Sequence, residues 1–139
     1  MNEVNKLSGI ILNACINIHK TLGPGLLESA YEECLCAELD EAGIKYERQK
    51  PISLVYKGHM IGEGFRADLV VDGTIIIELK SVKAIEPVHF SQLLTYLKIM
   101  DLPLGLLINF NEERLVTGFH RLINKEFKES KQEPTNIGE

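Results

Sequence analysis

Ile75-Ile76-Ile77 is apolar on both sides of an extended chain, and this run narrows the available folds more than any other. Successive strand residues project to opposite faces, so a strand with one wet face alternates apolar with polar. Three consecutive isoleucines instead need cover on both faces, which marks an interior strand of a layered α/β domain. Residues 104–110 read as a second apolar strand.

The flanking segments can supply that cover. Residues 4–22 carry Val4, Leu7, Ile10, Ile11, Ala14, Cys15, Ile18 and Leu22 on one helical stripe. Gly23-Pro24-Gly25 ends that helix. A second helix is expected over 26–41, with Leu27, Ala30, Tyr31, Cys34, Leu35 and Leu39 inward and Gly43 closing it. Strands follow over 44–49 and 52–56, interrupted by Pro51 and turned by Lys57-Gly58, then over 65–71 and 74–80 around Asp72-Gly73. A third helix, 87–101, starts on Pro87 and turns Phe90, Leu93, Leu94 and Leu97 inward. Residues 115–122 form a last strand or a strand-to-helix passage. The order 75–80, 87–101, 104–110 reads as a right-handed parallel crossover. The expectation is one α/β domain over 1–124, a mixed β-sheet flanked by helices, and a polar tail over 125–139.

Several functional classes drop out on composition. No apolar run approaches the roughly 20 residues that span a bilayer. The start, Met1 to Lys6, carries Glu3 and lacks the basic opening of a signal peptide, so a cytoplasmic protein with no membrane association is expected. Cys15, Cys34 and Cys36 lie in helical apolar pattern. Cys34 and Cys36 sit about 200° apart around a helix, which suits neither a zinc clamp nor a disulfide. All three read as small core residues in a reducing compartment. His19, His59, His89 and His120 show no zinc-binding spacing. The net charge of −5 opposes strong non-specific binding to nucleic acid. It opposes a nuclease less, because the acids of a metal site are neutralised when the metal binds.

Chemistry concentrates on the two strands joined by Asp72-Gly73. Glu78 and Lys80 are two apart and share a strand face, with Asp68 across the turn. Two carboxylates and a lysine on a rigid sheet suit a Mg²⁺ site that activates water against a phosphodiester. Loop length decides whether the acids meet. A two-residue turn pairs Val71 with Thr74 and Asp68 with Ile77, leaving Asp68 and Glu78 on opposite faces. A three-residue loop of Val71-Asp72-Gly73 pairs Val70 with Thr74. Asp68 then faces Ile76 and Glu78 faces Arg66, all on one side, as diagonal neighbours roughly 7–8 Å apart. A shared cation therefore demands an odd loop or a β-bulge. Lys80 is placed to act on the water or on the transition-state charge, and Arg66 is a candidate phosphate contact.

Asp68 followed by Glu78-Leu79-Lys80 resembles the signature of the PD-(D/E)xK nuclease superfamily, with Ala67 in the proline position. Residues 25–31, with Gly25, Glu28 and Tyr31, resemble the G-x-x-E-x-x-Y signature of the GxxExxY protein family within that superfamily. Residues 65–71, 78–80, Gln92-x-x-x-Tyr96-Leu97 and 105–110 follow in that family's order, so the resemblance spans residues 6–123. It implies a restriction-endonuclease-like core and a site for Mg²⁺, or Mn²⁺, held by Glu28, Asp68, Glu78 and the Leu79 carbonyl. It also implies a 5′-phosphate product. Gln92 and Tyr96, with His89 on the same stripe, are spaced as in RecB-like nucleases, where they line the site. Glu28 also stands in the first turn of a helix, where the dipole alone favours an acid. Tyr31, one turn on, either meets substrate or fills core.

The expected function is a metal-dependent nuclease acting on nucleic acid, DNA foremost. A homo-oligomer or protein partner would offset the acidic charge. The alternatives are a non-catalytic nuclease-fold module that binds nucleic acid or a protein partner, and a hydrolase of free nucleotides.

Overall fold

A computed structural model describes residues 1–62 and 65–128; most of the expected tail, from residue 129 on, lies outside the described residues. The elements are α1 (Asn2–Leu22), α2 (Glu28–Glu41), β1 (Tyr46–Pro51), β2 (Leu54–Tyr56), β3 (His59–Ile61), β4 (Arg66–Val71), β5 (Ile75–Lys80), α3 (Pro87–Met100), β6 (Leu104–Asn109), a 3₁₀ turn (Leu115–Gly118) and β7 (Phe119–Ile123). One five-stranded sheet has the order β1-β4-β5-β6-β7, and β2 and β3 form a separate ribbon. Strand β5 pairs antiparallel with β4 and parallel with β6. The sheet is thus mixed, and β5-α3-β6 is a parallel crossover.

The three isoleucines of β5 have no solvent exposure, as their pattern requires. Alternation divides the cover. Leu69, Ile75, Ile77, Leu106 and Ile108 pack with Leu7, Ile11, Leu35 and Leu39 of α1 and α2. Val70, Ile76 and Leu107 pack with Leu93, Tyr96 and Leu97 of α3. Fully burying a side chain of this size stabilises by about 1.5–3 kcal/mol, so both helical layers are held by the sheet rather than by helix propensity. Gly105 admits α3 closely: a Cβ there would lie 2.9 Å from Leu93 Cγ.

Several expectations need correction. Helix α2 begins at Glu28 and not at 26, because Leu27 is extended at the N-cap and stays exposed. Ile10 and Leu22 sit on the edges of the α1 stripe and are exposed. The first strand lies at Tyr46–Pro51, two residues later than its pattern suggested, and a strand at His59–Ile61 completes a hairpin around Lys57-Gly58. Residues 115–122 divide into the 3₁₀ turn and β7, which pairs antiparallel with β6. Cys15 and Cys36 are buried, Cys34 is half-buried, and all are free thiols.

Candidate active site

The β4–β5 turn is built differently from both registers considered above. Asp72 and Gly73 both have positive φ, 53° and 63°, and Thr74 N–H closes the turn on Val71 O at 3.0 Å. The ladder then pairs Val71 with Ile75, Val70 with Ile76 and Leu69 with Ile77. Thr74 is therefore an extra residue, a β-bulge. Neither the two-residue register nor the loop of Val71-Asp72-Gly73 is adopted. The bulge brings Asp68 directly across from Glu78, on one face, and not diagonal to it.

At that point the two carboxylates take over the hydrogen bonds between the strands. Asp68 N–H donates to Glu78 Oε2 at 3.0 Å, and Leu79 N–H donates to Asp68 Oδ2 at 2.8 Å. Lys80 O is bonded by Phe110 N–H on the β6 side, so by alternation the Leu79 backbone faces β4 and the acids. Glu78 is 7% exposed. Burial, then the Asp68 charge, push its carboxyl up to about 8, against smaller opposing effects that include Lys80. Lys80 is half-buried, two residues further along the same face.

Support for Asp68 comes from residues that sequence reasoning missed. Gln49 Nε2 donates to Asp68 Oδ1 at 3.2 Å and to Glu32 Oε1 at 3.0 Å. Buried Glu32 is also held by Arg48 Nε at 3.0 Å. Gln49 has φ 48° within β1, a left-handed conformation that costs a non-glycine residue roughly 1–2 kcal/mol. Glu32 was detectable as an acid between Tyr31 and Leu35 on the inward side of α2. Gln49 carried no such signal.

The α2 end is pinned to the residue after Lys80. Ser81 Oγ donates to Leu26 O at 2.5 Å, and Ser81 N–H donates to Glu28 Oε2 at 3.3 Å. Glu28, Ser81 and Asn111 line an open cleft with residues 25–27 and Ser29. Tyr31 fills core, which corrects its substrate-contact assignment. It has no exposure, stacks on Phe110 at 4.2 Å, and its hydroxyl donates to Gly23 O at 2.5 Å while accepting Leu26 N–H at 3.2 Å. Asn109, buried opposite Lys80, accepts Val82 N–H and donates to Val82 O. This lone amide in an apolar strand was a legible signal.

On α3, Tyr96 is buried, and burial followed by the charges of Glu78 and Asp68 pushes its phenol upward. It therefore lies within electrostatic reach of the acid pair. Gln92, one turn earlier, is exposed. His89 Nδ1 accepts Glu86 N–H at 3.0 Å and so caps α3. Arg66 is exposed, and among the described residues its guanidinium reaches Gln49 O at 3.4 Å. A wider hollow lined by Asp40, Tyr46, Asp72 and Gly73 lies at the opposite end of the sheet, away from this chemistry.

Among the described residues, no three His, Cys, Asp or Glu side chains come close enough to hold a metal ion together. Glu28 is thus near Glu78 electrostatically without joining it in a cluster. The remaining donor set still fits Mg²⁺, which is typically bound through one or two carboxylates while keeping several waters. Asp68 and Glu78 offer such a pair of hard oxygen donors.

The family model of the PD-(D/E)XK nuclease superfamily matches residues 5–122. This chain belongs to that superfamily. No curated protein and no solved structure matches it. As a PD-(D/E)XK protein it has Asp68, Glu78 and Lys80 at one end of a mixed five-stranded sheet flanked by helices, consistent with the restriction-endonuclease-like fold. Proteins of this superfamily are usually nucleases and generally use divalent metals.

Proposed function

We propose that this PD-(D/E)XK protein is a Mg²⁺-dependent nuclease of the GxxExxY type, hydrolysing phosphodiester bonds of nucleic acid, DNA foremost, in the cytoplasm. The observation carrying this reading is Asp68 facing Glu78 where the β4–β5 ladder opens, with Lys80 beside them. Asp68, Glu78 and the Leu79 carbonyl would hold Mg²⁺, or Mn²⁺ in its place, while Glu28, expected as a further ligand, stays outside that cluster on Ser81 N–H. The bound ion would supply a water of lowered pKa and neutralise charge at the phosphate. Glu78 would have to be ionised to serve as a ligand. Lys80 orients the attacking water and faces the developing negative charge. Arg66 contacts a flanking phosphate. Gln92 orients substrate from α3, while Tyr96 backs the acid pair as a neutral phenol.

Labelled single- and double-stranded DNA and RNA, incubated with Mg²⁺ or Mn²⁺, test the proposal. Cleavage is expected to stop with EDTA and to fall at least about a hundredfold in Glu78→Ala. Cleavage that survives Glu78→Ala would belong to a contaminant and sink the assignment. Tight binding indifferent to EDTA, with no cleavage, would select the non-catalytic module.

A further inference from the structure

The β2–β3 ribbon is not explained by the sheet or by the acid pair. It pairs Leu54 with Ile61, Val55 with Met60 and Tyr56 with His59, around a tight turn in which Lys57 and Gly58 both have positive φ. Val55, Tyr56, Met60 and Ile61 are 58%, 61%, 69% and 39% exposed. Residues directly opposed across a ladder share a face, so Val55 and Met60 lie on one face and Tyr56 and His59 on the other. Each face therefore exposes an apolar pair, Val55 with Met60 and Tyr56 with Ile61, and unburied apolar side chains grouped in this way mark a binding surface.

Position and charge indicate the partner. The ribbon leaves the sheet at Pro51 and returns at Arg66, which are paired with each other. Its base is closed by Ile52 N–H to Phe65 O at 2.8 Å. Arg66 is two residues from Asp68, so the ribbon springs from the sheet end that carries the acid pair. Residues 48–62 contain Arg48, Lys50 and Lys57 and no acid, in a chain of net charge −5. Arg48 and Lys50 are paired with acids. Lys57 lies over the Tyr56 ring, 5.5 Å from its centroid, and neither it nor Arg66 joins an ion pair among the described residues. Glu47 and Glu63 flank this stretch, but an acidic protein repels a polyanion over most of its surface, and the cations Lys57 and Arg66 mark where one can approach.

We propose that the β2–β3 ribbon is an arm for single-stranded nucleic acid. Tyr56 and the exposed apolar side chains stack on bases, and Lys57 and Arg66 meet the phosphates of the strand entering the acid pair. Stacking of this type tolerates any base and requires the bases to be unpaired. The location of the entering strand rests on the nuclease reading above.

The full-length chain, Tyr56→Ala/Lys57→Gln and Met60→Ala would be titrated in EDTA against a fluorescein-labelled single-stranded oligodeoxynucleotide and its duplex. Circular dichroism and Mn²⁺ titration would establish an intact fold and acid pair in each variant. The single strand is expected to bind more tightly than the duplex, and the double variant to weaken its binding roughly tenfold or more. Unchanged affinity in both variants would overturn the arm, as would failure of the wild type to bind any oligonucleotide. A wild-type dimer that the double variant splits in sedimentation, with oligonucleotide affinity unaltered, would overturn it in favour of a second copy as occupant. Wild-type binding without metal-dependent cleavage, weakened in the variants, would uphold the arm while removing the nuclease reading.

Discussion

Burial and the facing Asp68 charge keep the Glu78 carboxyl protonated up to about pH 8 in the metal-free chain, against an ordinary value of 4.5. Between those values the folded state binds a proton that the unfolded state does not, so stability falls as pH rises through the window. The stabilising difference is fully present below about 4.5 and gone above about 8. Glu78→Gln, an isostere of the neutral acid, should flatten this slope and stabilise the chain at pH 8 by up to about 5 kcal/mol. Urea denaturation at pH 5 and pH 8 would measure it, and equal slopes in both proteins would mean that Glu78 is already ionised at neutrality. Gln49 acts at the same scale through one amide shared by Asp68 and Glu32. Gln49→Leu should cost about 1–3 kcal/mol by leaving those acids short of a donor and weaken Mn²⁺ binding about tenfold or more by freeing Asp68. Calorimetric titration showing wild-type Mn²⁺ affinity would deny Gln49 that orienting role.

Each carboxylate is aimed by its element. Strand parity alone leaves Asp68 and Glu78 with even odds of sharing a face, and the bulge at Thr74 settles it. Because Asp72 and Gly73 already have the positive φ of a two-residue hairpin turn, deleting Thr74 should close that turn directly with Val71 still opposite Ile75. The variant is expected to keep Mn²⁺ affinity within about threefold and lose less than about 1 kcal/mol. Loss of Mn²⁺ binding would instead show that the bulge's added twist sets the acid geometry. Helix α2 is aimed by a different device. Its first turn carries no side-chain cap and is held by the Tyr31 hydroxyl and Ser81, which fix Glu28 beside the strand end.

Across the whole molecule, two apolar layers hold one sheet whose end gathers the chemistry. Helices α1 and α2 cover one face and α3 the other, so the acids of β4 and β5 lie within electrostatic reach of Glu28 from one layer and Tyr96 from the other. Glu32, Glu33 and Glu47 neutralise Arg48 and Lys50 at the edge of the sheet, which leaves Lys57 as the cation of the stretch 48–62 outside any ion pair among the described residues.

Local pattern was enough for the helices, the interior strands and the parallel crossover. Apolar period and glycine or proline punctuation act over a few residues, and burial of β5 on both faces leaves few alternatives to a covered sheet. The same reading placed Asp68, Glu78 and Lys80 on adjoining strands. It misjudged Leu27 and left Tyr31 open because the loop before α2 is shaped by distant partners. Tertiary structure alone decided the turn register, the bridge from Glu32 to Gln49 across 17 positions and the contact of Glu28 with Ser81 across 53. Those bonds compete with many equivalent polar pairings in the unfolded chain, and only closure of the two apolar layers around β5 brings these particular donors and acceptors within reach.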